Sequence, residues 1–159
     1  MIKLTASLLA LILFSGCSIF QSADDYYLNY IAEMNSVQED VNIQTTEWRQ
    51  LCHNILKLKY IDDVVEVIPT PSKVIKQGGS DCVGFAILSR AVITHKFHGY
   101  VICANSKVSH AIALYEDEKG YYIVDNDTVD RIDGENGYMA LKSLSNYNKF
   151  VSEKIILDR

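Results

Sequence analysis

Residue types able to do nucleophilic chemistry fall in order along one stretch of the chain, from Gln77 to Asp127. Cys82 stands within Gln-Gly-Gly-Ser-Asp-Cys-Val-Gly-Phe-Ala, His110 within Ser-His-Ala, and Asp125 within Ile-Val-Asp-Asn-Asp. In such a set a thiolate attacks an electrophilic carbon, an imidazole moves the proton and a carboxylate orients the imidazole.

The surrounding pattern says which elements must carry these groups. Thr70 as N-cap and Pro71 at the first helical position start a short helix over Ser72–Gln77, and Gly78 and Gly79 end it. Ser80 or Asp81 opens the next helix, Cys82–His95, which packs through Phe85, Leu88, Ser89 and Val92. Cys82 then lies in the first turn, where unpaired N–H groups and the helix dipole favour a thiolate. The competing reading is a buried structural cysteine, which leaves the Gly-rich helix entrance unexplained.

His110 falls on a strand, Ser109–Glu116, and Asp125 ends the next, Gly120–Asp125, with a turn at Asp117–Gly120. If Tyr115 faces Tyr121 across that turn, His110 lies opposite Asn126. A shift of one residue places it opposite Asp125. Both side chains can orient a histidine, so the pairing pattern leaves Asp125 and Asn126 as alternatives.

Elsewhere, Tyr27, Tyr30, Ile31 and Met34 give a helical face over Tyr26–Val37. Trp48, Leu51, Cys52, Ile55 and Leu58 give another over Thr46–Lys59. Cys52 therefore reads as a small buried hydrophobe, and His53 as a residue at the edge of the core. Gly99–Asn105 alternates as a strand, with Cys103 packed inside it. Thr128–Ile132 and Phe150–Leu157 complete the strands, and Ala140–Asn146 reads as a short helix. Helical patterns come before Lys96 and strand patterns after Gly99. The predicted fold class is α+β, with N-terminal helices packed on a C-terminal antiparallel sheet.

Composition narrows the function. The 159 residues suffice for one domain with a core, and 48% hydrophobic content excludes a disordered chain. A net charge of -5 without a basic block argues against nucleic acid as partner. The ten tyrosines then serve packing and surface contacts and not base stacking. Cys17, Cys52, Cys82 and Cys103 have no metal-ligand spacing. His95 and His98 share a helix end in this reading but lack a nearby third ligand. Neither a metal nor a cofactor is called for.

The first residues resemble a bacterial lipoprotein signal. Lys3 is a positive n-region, Leu4–Phe14 an apolar run too short to span a membrane, and Phe14-Ser15-Gly16-Cys17 resembles a lipobox, with Phe14 where Leu is common. The resemblance implies residues 1–16 removed, Cys17 lipidated, a tether over residues 17–24 and a domain over residues 25–159. With Ser18 next, it implies an outer-membrane anchor facing the periplasm. An oxidising compartment of that kind would permit a Cys52–Cys103 disulfide.

Residues 55–133 resemble the bacterial transglutaminase-like cysteine peptidases, within the papain-like and transglutaminase-like superfamily. The family runs Gly-Asp-Cys-x-(Asp or Glu)-(Tyr or Phe)-Ala, then His-Ala-Val, then Leu-Asp-Asn. Here stand Ser80-Asp81-Cys82-Val83-Gly84-Phe85-Ala86, then His110-Ala111-Ile112, then Val124-Asp125-Asn126. The resemblance implies Cys82 as nucleophile, His110 as general base and Asp125 as orienting carboxylate. Gln77 is a candidate oxyanion donor beside the Cys82 backbone N–H. Ser80 replaces the usual Gly and Gly84 the common acid, departures that bear on substrate contacts and on any calcium site. The implied function is a lipid-anchored envelope thiol hydrolase acting on a protein or peptide. The alternative is a non-catalytic peptide- or wall-binding module on the same fold.

Overall fold

The computed structural model describes residues 23–39, 41–62, 67–104, 109–135 and 154–157. The expected signal segment, the helix over Ala140–Asn146 and the start of the last strand lie outside the described residues.

Helix α1 (Ala23–Ser36) turns Ile31 and Met34 fully into the core. A single turn, α2 (Trp48–Gln50), runs on as a π-helical segment, Leu51–Leu56. The expected regular helix over Thr46–Lys59 is thus shorter and wider. Bonding from i to i+5 rotates later residues off the α-helical face. Leu51 and Cys52 remain buried, while Ile55 is 65% exposed. Lys57 then takes the left-handed conformation (φ 52°) and ends the segment.

Strand β1 (Lys59–Tyr60) pairs in parallel with β2 (Gly79–Ser80), and α3 (Pro71–Gln77) lies between them in sequence. The caps of α3 follow from its sequence: Thr70 Oγ1 accepts from the Lys73 N–H, and left-handed Gly78 closes the C-terminus. At Gly79 (φ 152°) a Cβ would run into the Lys59 carbonyl, so the parallel pairing requires glycine there.

Helix α4 (Cys82–Val92) is buried from Val83 to Ser89 and packs on α3 and on the main sheet. It stops before His95 because Ile93 is already extended. Ser89 donates to the Ala86 carbonyl at 2.7 Å, so the 2.9 Å bond it shares with Tyr115 has the phenol as donor. That bond pins the helix to the sheet.

The main sheet is antiparallel, with order β6-β5-β4-β3-β7. Its strands are β3 (Lys96–Ala104), β4 (Ser109–Asp117), β5 (Gly120–Asp125), β6 (Thr128–Arg131) and β7 (Lys154–Leu157). One face carries Tyr100, Ile102, Ala111, Ala113, Tyr115, Tyr122 and Val124 against the helices. The other carries Val101, Cys103, Ile112, Leu114 and Ile123. This period of two is the pleat of the strands read through burial. The architecture is the α+β arrangement expected, helices from the first half packed on an antiparallel sheet from the second.

Candidate active site

The site forms where the start of α4 meets the start of β4. Asp81 caps α4, accepting from the Gly84 N–H at 3.0 Å, and this sets Cys82 in the first turn. The Ala111 N–H of β4 donates to the Cys82 sulfur at 3.5 Å. Ser80 is fully buried beneath this turn, and a Cβ at Gly84 would collide with the Ser80 hydroxyl. The two departures from the family pattern are therefore one compensating change. A side chain at position 80 leaves room only for glycine at position 84.

His110 Nε2 bonds Asp125 Oδ1 at 2.8 Å, with side chains 17% and 7% exposed. Burial alone would lower the His110 pKa. Hydrogen bonds and charge from Asp125 and Cys82 outweigh it and push the value up to about 9. The imidazole is thus held as a cation beside the thiol, with Nε2 on Asp125.

The strand register differs from both expected alternatives. Tyr115 pairs with Tyr122, and the β4–β5 ladder ends at Ala113–Val124. Extended beyond the ladder, this register places His110 opposite Asp127, so Asp125 lies diagonally across from it on the same face. Diagonal neighbours on one face remain within reach of long side chains. Asn126, on the other parity, serves the site through its backbone. It adopts φ 52°, a conformation asparagine tolerates, and its carbonyl accepts from Trp48 Nε1 at 2.8 Å. Thr128 Oγ1 donates to the Asp125 carbonyl at 2.8 Å, and His53 Nε2 pairs with Asp127 Oδ2 at 2.8 Å. The turn presenting Asp125 is clamped on three sides.

Gln77 is not brought to this group. After Gly78 reverses the chain, its amide nitrogen donates to the Gly79 carbonyl at 2.6 Å. Cys17 lies outside the described residues. Cys52 and Cys103 are free and buried. Burial, with the charge of Asp127 for Cys52 and Asp125 for Cys103, pushes both thiols up to about 12. His95 is not on a helix, and the two histidines part company: His95 Nδ1 meets the Tyr122 hydroxyl and His98 Nε2 meets Glu116.

Sequence reasoning missed the clamp from Trp48 and His53 and the Ala111 N–H. The clamp joins residues 78 apart in the chain and had no local signal. The Ala111 contact follows from its place beside His110, once β4 is known to abut α4. A groove of about 230 Å³ opens at the thiol, and Cys82, Val83, Ile102, Ser109, His110 and Ala111 are among its lining residues.

The chain belongs to the transglutaminase-like domain family, whose model matches residues 26–153. No match is found among curated proteins or among solved structures.

Proposed function

We propose that this protein is a thiol hydrolase of the cell envelope, anchored by a lipid on Cys17, that cleaves a peptide or isopeptide bond through an acyl-enzyme on Cys82. The observation that carries the reading is the 2.8 Å His110–Asp125 bond beside a thiol seated in the first turn of a helix.

The Cys82 thiolate attacks the amide carbonyl carbon, and the carbonyl electron pair moves to oxygen. The backbone N–H groups at the start of α4 face the developing oxyanion. Imidazolium His110 gives its Nδ1 proton to the leaving amine as the C–N bond breaks. Water then attacks the thioester, neutral His110 takes its proton, the C–S bond breaks and the acid leaves. Asp125 holds the ring in place and stabilises its charge throughout.

Hydrolysis and transamidation differ only in what attacks the thioester. Transamidation needs a site that admits an amine and excludes water. A groove of about 230 Å³, open on one small domain, favours water. The test is to incubate envelope proteins and a labelled primary amine with the protein and with Cys82→Ala. Fragments absent from the variant support hydrolysis. Label incorporation without cleavage points to transamidation, and no thiol-dependent change points to a binding module.

A further inference from the structure

Besides the thiol and His110, the groove has an aromatic and acidic wall. Helix α1 contributes Tyr26, Tyr27 and Tyr30, β1 contributes Tyr60, and Asp62 and Asp81 also line it. The rings are ordered against one another. Tyr26 and Tyr30 stack at 6.4 Å and 18°, and Tyr27 meets Tyr26 edge-on at 5.3 Å. Ile31 and Met34, fully buried on the same helix, fix this wall to the core. Tyr26 remains 45% exposed and Tyr60 55% exposed, and both line the groove.

The charges on this side have one sign. Asp81 is committed to capping α4, while Asp62 is exposed at the rim. Tyr60, Asp62, Asp81 and Cys82 line the groove together, and burial, then the charge of these neighbours, raises the Tyr60 pKa. No lysine or arginine is among the described lining residues. Among the described lining residues the cation is the imidazolium of His110, which is paired with Asp125.

Aromatic faces beside a carboxylate attract a cation. A volume of about 230 Å³ is below the ~300–1,000 Å³ of a drug-sized pocket and suits one or two residues of an extended chain. Resting on the thiol-hydrolase reading of Cys82, we infer that this wall is a subsite for a cationic side chain. The substrate then presents a lysine or arginine next to the amide that is cleaved. Tyr60 and Asp62 determine this preference, because both stand exposed at the groove.

The test separates recognition from chemistry. Short blocked peptides carrying lysine, norleucine or glutamate at one position are titrated into the full chain with Cys82→Ala. Norleucine keeps the alkyl stem and lacks the charge. The lysyl peptide should bind about tenfold tighter than the norleucyl one. In Cys82→Ala chains that also carry Tyr60→Leu or Asp62→Asn, that ratio should fall toward one. Both positions are exposed, so the fold should survive, and circular dichroism checks it. Equal binding of lysyl and norleucyl peptides, or a ratio that survives both substitutions, overturns the inference. Selective binding of the lysyl peptide, with no cleavage of it by the unmodified chain, supports the subsite and counts against the hydrolase. Cleavage without charge preference does the reverse.

Discussion

Asp125→Asn keeps the shape of the group that holds His110 and removes its charge. The rise of the His110 pKa from 6.5 to about 9, at ~1.4 kcal/mol per pH unit, corresponds to roughly 3.5 kcal/mol favouring the imidazolium. That is the balance left after burial has opposed it, and Asp125 and Cys82 share it. Removing one of the two partners should lower the His110 pKa by about one unit or more. The sign for stability follows. A histidine whose folded value is raised contributes stability fully below its unfolded value of 6.5, and this is lost as pH rises through about 9. Asp125→Asn should therefore destabilise most at mildly acidic pH, and the difference from the parent should shrink toward pH 9. The primary assay is the ring-proton resonance of His110 followed by NMR through the titration. Iodoacetamide alkylation runs beside it. At mildly acidic pH Cys82 should alkylate ahead of Cys52 and Cys103, which burial holds near 12, and Asp125→Asn should slow it. An unchanged His110 titration in Asp125→Asn, or equal alkylation of the three thiols, would refute this reasoning.

Two further outcomes are expected. Gly84→Ala should cost ~1–3 kcal/mol of unfolding free energy through overpacking against Ser80, and adding Ser80→Gly should restore most of it. Denaturant unfolding of the single and double variants measures this, and a double variant no more stable than Gly84→Ala would contradict the compensation. Mass spectrometry of the membrane fraction should find the mature N-terminus at Cys17 carrying lipid, and an unmodified terminus elsewhere would exclude that anchor.

Much of the fold was legible because local chemistry agreed with tertiary demand. Thr70-Pro71 and Gly78 mark the ends of α3, Asp81 the start of α4, and alternation the strands β3 to β5, although β3 begins at Lys96 and not at the expected Gly99. The segment after Trp48 was not legible, because a periodic apolar face does not reveal a widened helical turn that sends Ile55 to solvent. Strand pairing was off by a residue. The parity that brings His110 and Asp125 to one face nevertheless matches one of the two expected registers, which is why the pair could be named without the true ladder. Gln77 came only from the family resemblance, and beside the left-handed Gly78 its amide donates to the Gly79 carbonyl instead. The Trp48–Asn126 bond depends on packing between distant segments, which no local pattern encodes.

The central claim is that Cys82, backed by His110 and Asp125, forms an acyl-enzyme. Intact-mass and peptide-mass analysis of the protein, acid-quenched seconds after mixing with an activated lysyl-peptide ester, tests it most directly. The account predicts one acyl group, mapped to Cys82, absent from Cys82→Ala, and discharged by water faster in the parent than in His110→Ala. Acylation of Cys52 or Cys103 instead, or an equal adduct in Cys82→Ala, would contradict it.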